Sequence, residues 1–153
     1  MRTISKLLLA AMVIVSLVSC GGGSTEEDPA DKYVGTWKSP CINSAPIYFK
    51  TRTQTKINST QLAVVSVDEY SFTDMTCSEK YLNQPDTPTY STITLSAKTT
   101  FLGQTVDTAS ETFNTGEVAK GYMTADSKQM LVVNTISNQP LTRWGIYSPY
   151  TKQ

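Results

Sequence analysis

Apolar and polar positions along this chain fall into two regimes. Residues 7–18 form an apolar block broken only by Ser16, whereas from Tyr33 onward apolar and polar residues mostly alternate. A period of two sets successive side chains on opposite faces of a β-strand. Tyr33–Lys38 reads as a first strand with Tyr33, Gly35 and Trp37 on one face. From Ile47 to Ile57 the alternation is cleanest, placing Ile47, Phe49, Thr51, Thr53, Thr55 and Ile57 on an inner face and Tyr48, Lys50, Arg52, Gln54 and Lys56 on a solvated one. After the turn signal Asn58-Ser59, residues 61–67 read as a more fully buried strand. Residues 70–76 continue the sheet or bend across an end, and residues 83–88, with two prolines, form a loop.

From Tyr90 the alternation returns, with Ile93, Leu95, Ala97, Thr99 and Phe101 inward. Turn signals at Leu102-Gly103-Gln104, Asn114-Thr115-Gly116 and Asp126-Ser127 separate further strands at 105–113, 117–124 and 129–135. A last strand is expected at Leu141–Tyr147, followed by a polar tail. No stretch after residue 31 carries a helical period beyond about two turns. Some eight strands joined by short turns predict an all-β chain, an antiparallel up-and-down barrel that leaves no exposed edge. An open antiparallel sheet or a sandwich is the alternative.

Charge and composition narrow the functional classes. Lys and Arg number 13 against 13 Asp and Glu, which gives no basic footprint for nucleic acid. Histidine is absent, so the commonest general base and the usual activator of a serine or cysteine nucleophile are missing. Without histidine or closely spaced cysteines a zinc site lacks ligands. Asp68, Glu69, Asp74 and Glu79 cluster in sequence but lack the spacing of a calcium loop, and they read as a solvated rim. The only glycine run, Gly21–Gly23, lies outside the strand region, so no phosphate cradle is expected there. These absences argue against an enzyme, a cofactor and a metal.

The N-terminus carries an address. Arg2 and Lys6 precede the apolar block, which is short for a bilayer span and suits the core of an export signal. Leu17-Val18-Ser19-Cys20 resembles the lipobox of bacterial lipoproteins. The resemblance implies cleavage before Cys20, acylation of Cys20 and a lipid anchor in the bacterial cell envelope, with Gly21 pointing to the outer membrane. Residues 1–19 are then the signal, 20–31 the lipidated cysteine and a flexible tether, and 32–153 the folded domain. Losing 19 residues leaves 153 − 19 = 134, enough for one domain. In an exported chain the remaining pair, Cys41 and Cys77, is expected to form a disulfide, the alternative being two buried thiols.

Gly35-Thr36-Trp37 resembles the Gly-x-Trp signature that opens lipocalins, and Arg143 falls where that family places an arginine on its last strand. The resemblance implies a barrel whose ends meet there, with Arg143 packed across the face of Trp37. A lipocalin-like barrel suggests a small apolar or amphipathic ligand, lined by Ile47, Phe49, Ile93, Leu95 and Phe101 with Thr51, Thr53, Thr55 and Thr99 as polar anchors. The rival expectation is a filled core and an envelope protein-interaction module, an inhibitor or assembly factor. That module would use the loop at 79–88 with Tyr81, and Tyr147 and Tyr150. An interior of several hundred Å3 favours the ligand and a filled interior the partner.

Overall fold

A computed structural model describes residues 28–42, 47–70, 77, 87–135, 141–143, 145 and 148–153. The signal segment, Cys20, Gly21–Glu27, the expected strand continuation at 71–76, most of the loop at 79–88 with Tyr81, and Tyr147 lie outside the described residues.

Eight strands run in sequence order around a closed antiparallel barrel: β1 (Gly35–Lys38), β2 (Tyr48–Asn58), β3 (Gln61–Tyr70), β4 (Thr89–Phe101), β5 (Gln104–Phe113), β6 (Val118–Ala125), β7 (Gln129–Thr135) and β8 (Tyr150–Lys152). The up-and-down architecture is the one the alternation predicts. Closure is made by β8 lying between β7 and β1, through the pairs Trp37 with Lys152 and Lys38 with Thr151. One end, the base, carries the turns after β2, β4 and β6; the other, the distal end, carries the turn after β5, the long connections after β3 and β7, and the disulfide.

A short 3-10 turn, Asp31–Tyr33, closes the base. Ala30 and Tyr33 are completely buried there. Asp28 to Asp31, ahead of the expected boundary at residue 32, are therefore part of the folded domain, because Ala30 fills the base and Lys56 holds both Asp28 and Asp31. The Tyr33 hydroxyl lies 2.7 Å from the buried Asp107 carboxylate and 2.8 Å from the Met123 carbonyl, two acceptors for one proton. Lys32 reaches the same carboxylate at 2.7 Å.

Three expectations are corrected. On β2 the inward residues are Arg52 and Gln54, while Thr53, Thr55 and Ile57 are exposed. Hydroxyl and basic residues occupy both faces of this strand, so polarity alone could not choose between them. The choice is made by register, since Gly35 pairs with Gln54 and Trp37 with Arg52, placing both on the indole's side of the sheet. Phe101, expected inward, faces the outer wall. A register shift between Leu95 and Lys98 turns the following residues over, and Phe101 stacks on Tyr122 with centroids 4.8 Å apart in a second, outer cluster with Val106 and Val133.

The last strand, finally, is Tyr150–Lys152, with Leu141–Arg143 outside any strand. Before β8 the chain is held to β7 by single contacts: Ser148 Oγ lies 2.8 Å from the Val132 amide and 2.7 Å from its carbonyl, and Gly145 N donates to that carbonyl at 3.1 Å. Burial of Tyr150 opposite Met130 then sets where pairing resumes.

The lumen is packed by unequal partners. Trp37, Leu62, Val64, Leu95, Met130 and Tyr150 form most of the buried core cluster, and small residues, Ala109, Ala119 and Gly121, face them from β5 and β6. Gly121 is dictated by close approach, because a Cβ there would stand 1.8 Å from the Val133 carbonyl oxygen.

The disulfide joins Cys41 to Cys77 with their Cα atoms 5.6 Å apart. It ties the connection after β1 to the connection after β3 and closes a loop with a sequence separation of 36 residues. Chain-entropy reasoning assigns such a loop roughly 3–4 kcal/mol. Urea denaturation of the oxidised protein and of Cys41→Ser/Cys77→Ser is expected to differ by that amount; coincident curves would show that the bridge leaves stability unchanged.

Candidate functional site

Beyond the Tyr33–Asp107 contact at the base, a second group of buried polar residues meets in the distal half of the lumen. Arg52 from β2 sends Nη2 to Glu111 Oε1 on β5 at 2.7 Å, and both side chains are about 6% exposed. The same oxygen accepts from Ser91 Oγ on β4 at 2.6 Å, and the other accepts from Asn134 Nδ2 on β7 at 3.1 Å. The Tyr150 side chain on β8 is buried near enough to Arg52 for the two to influence each other's titration. Four strands, β2, β4, β5 and β7, are thereby braced across the lumen by one buried ion pair and its hydrogen bonds.

Electrostatics fix the charge states. Burial works against the Arg52 cation, but Glu111 and then Tyr150 more than offset it and the guanidinium pKa is raised. Tyr150 is pushed up to about 12, chiefly by burial, with Arg52 opposing the shift. A phenol whose folded pKa lies above its unfolded value of about 10 stabilises the fold fully below pH 10 and loses that contribution as pH rises through 12. Between pH 9 and pH 12 the protein is expected to lose about 2–3 kcal/mol more stability than Tyr150→Phe. Urea melts of the two proteins across that range check it, and parallel losses would contradict it.

Among the described residues, the cavity lined by Ile93, Ala109, Glu111, Ala119, Met123 and Asn134, among others, measures about 10 Å3. That is room for about one water molecule. The larger depressions are open and external, among them a groove of about 470 Å3 where β1 and β8 diverge beside Pro40 and Pro149, and one of about 250 Å3 between Tyr90 and Phe113.

The expected ligand-lining residues do not share a cavity. Ile93 and Leu95 are buried in the lumen. Phe49 is buried on the opposite side of β2 from Arg52, with Lys38 Nζ 3.7 Å from its ring centroid. Ile47 is half-buried just before β2. Thr51 donates to Glu69 at 2.7 Å on the outer wall, Thr53 sits 3.3 Å from Thr36 there, and Thr99 is exposed.

No family model, curated protein or solved structure matches this chain.

Its own geometry therefore has to carry the functional reading. The cation over the Trp37 ring is Lys152, with Nζ 5.1 Å from the centroid, while Arg143 is exposed in a bend ahead of β8. Lys152 takes this position because β8, and not the segment containing Arg143, is the strand paired with β1. The backbone explains the glycine of Gly-x-Trp: Gly35 has φ 132°, a conformation that L side chains rarely adopt, with the Lys152 side chain lying beside it. Trp37 itself is fully buried and donates Nε1 to the Tyr33 carbonyl at 2.8 Å.

Sequence reasoning missed Arg52, Glu111 and Lys152. A signal was present in the first two: opposite charges in the middle of strands otherwise rich in Thr, Ser and Ala, in a chain with only 17% charged residues. Among the described residues no cluster of three or more acidic, cysteine or histidine side chains is placed to hold a metal. Asp68 instead pairs with Lys50 at 2.5 Å. Ser91 meets a carboxylate, but one already engaged by Arg52 and Asn134. Among the described residues no helix is long and apolar enough to cross a membrane.

Proposed function

We propose that this is a lipid-anchored protein of the bacterial cell envelope whose closed, filled barrel serves as a protein-interaction module, an inhibitor or assembly factor, without a lumenal ligand or a catalytic centre. The observation that carries the reading is how little space the described lumen-lining residues leave: a cavity of about 10 Å3 falls far below the several hundred Å3 of a small-molecule site, and the buried Arg52–Glu111 pair crosses the lumen. What remains for recognition is the outer surface, with Tyr90 and Val118 exposed on the distal part of the wall. The anchor is supported by the Leu17-Val18-Ser19-Cys20 stretch behind its apolar block, and export is in keeping with the Cys41–Cys77 bridge.

Cys20→Ser is expected to abolish acylation and release a soluble or unprocessed form, seen by fractionation and by metabolic labelling with a palmitate analogue. Persisting label would refute the anchor. For the module, a photo-activatable amino acid at Tyr90 or Val118 in living cells is expected to give one discrete protein adduct. Adducts only to lipid, or none, would contradict it.

A further inference from the structure

The root of the tether is fastened to one end of the barrel. Ala30 N donates to the Ser59 carbonyl in the turn after β2 at 3.2 Å, Lys56 grips Asp28 and Asp31, and Tyr33 is sunk into the base on Asp107 and Met123. The chain thus enters the fold at the base, beside the turns at Ser59 and Ser127. Seven residues, Gly21–Glu27, separate Cys20 from Asp28. In any conformation those eight Cα-to-Cα steps span at most about 28 Å.

The barrel is as tall as that limit. β2 runs from the distal end to the base over 11 residues, roughly 36 Å of strand and about 28 Å along an axis to which strands tilt by some 40°. For the distal end to touch the bilayer, the linking segment would have to lie fully extended along the wall.

We infer that the anchored barrel stands base-down, with the turns at Ser59 and Ser127 against the lipid headgroups and the turn after β5 (Asn114–Glu117), the disulfide and the exposed Tyr90 held away from the membrane as the face offered to partners. The occupant of the base is thus the lipid surface itself, reached through the anchor. Lys32 and Lys56 are engaged with carboxylates there while Lys128 beside Ser127 is exposed, so uncharged lipid isolates the contribution of the tether from that of surface charge. This inference rests on the lipid-anchor reading of Cys20.

The test uses the full lipidated chain in phosphatidylcholine vesicles carrying headgroup nitroxides, with a fluorescent amino acid placed singly at Ser59, Ser127, Asn114 or Glu117. Fluorescence is expected to be lost at Ser59 and Ser127 and retained at Asn114 and Glu117. Inserting about twenty Gly and Ser residues after Gly23 lengthens the root-mean-square reach to roughly 30 Å and is expected to bring quenching to Asn114. Flotation with the vesicles but equal quenching at all four positions would overturn the orientation alone. Failure to float would overturn the anchor and the orientation with it.

Discussion

Glu111→Ala is expected to destabilise the domain by about 3–5 kcal/mol, because it strands the Arg52 guanidinium in the lumen. The carboxylate it removes receives three side-chain donors, from Arg52, Ser91 and Asn134. Arg52 cannot answer by losing its proton, since a guanidinium stays charged in proteins, nor by turning outward, since its β2 parity is fixed by the Trp37 pair. Its Nε is already buried without a partner, so little capacity remains to absorb the loss. The effect measures an unpaired charge and not the net value of the ion pair. Replacing both ends by apolar residues, Arg52→Met with Glu111→Leu, is accordingly expected to cost far less than either single change, the behaviour seen when buried pairs are exchanged for packing. Urea denaturation of the two single variants and the double variant gives the coupling directly. An additive result would show that the brace across the lumen is not formed.

Trp37→Ala is expected to cost about 3–5 kcal/mol. Among the described residues the indole is the largest fully buried side chain, its Nε1–H is satisfied by Tyr33, and its face is covered by Lys152. Removing it opens a cavity where β8 meets β1 through two residue pairs. Lys152→Gln separates packing from the cation. A cation over an indole contributes roughly 0.5–2 kcal/mol, so Lys152→Gln should lower stability by that amount and Arg143→Gln should leave it unchanged. The reverse order would return closure to Arg143.

These variants also mark where sequence reasoning stopped. Strand positions were legible because turn chemistry brackets them: Asn58-Ser59, Leu102-Gly103 and Asp126-Ser127 all fall at observed turns. Leu102 and Gly103 have φ of 48° and 78°, the left-handed conformation that glycine admits without strain. The inward parity of Trp37, Ile93 and Leu95 was legible because their neighbours are polar.

The parity of β2 was not, because Thr, Lys, Arg and Gln differ too little in hydrophobicity to show which row faces in. What decides it is the register with β1, which sets Arg52 opposite Trp37 and turns it toward Glu111, 59 residues away. The one-residue register shift in β4 left no glycine or proline as a marker, so Phe101 looked continuous with Leu95. The three-residue β8 was hidden by its length and by two polar ends, although Tyr150 buries as completely as the core leucines and valines.

Of the expected ligand-lining residues, Phe49, Thr51 and Thr53 lie outside the lumen for the same reason as the β2 parity, while Ile93 and Leu95 face into it. Threonines assigned to the lumen as room-makers belong to the outer wall, and the side chains that replace them inside, Arg52 and Gln54, are large. A barrel of eight strands has an interior just wide enough for side chains to fill, and these two, with Trp37, Met130 and Tyr150, use it.

The most direct test of that central claim is the mass of the folded domain. Purified from its native host with the residues before Asp28 removed, and weighed by native mass spectrometry without denaturation, it should carry nothing beyond its own chain with the disulfide formed. A small molecule bound at one-to-one stoichiometry in repeated preparations, and released on unfolding, would contradict the filled barrel.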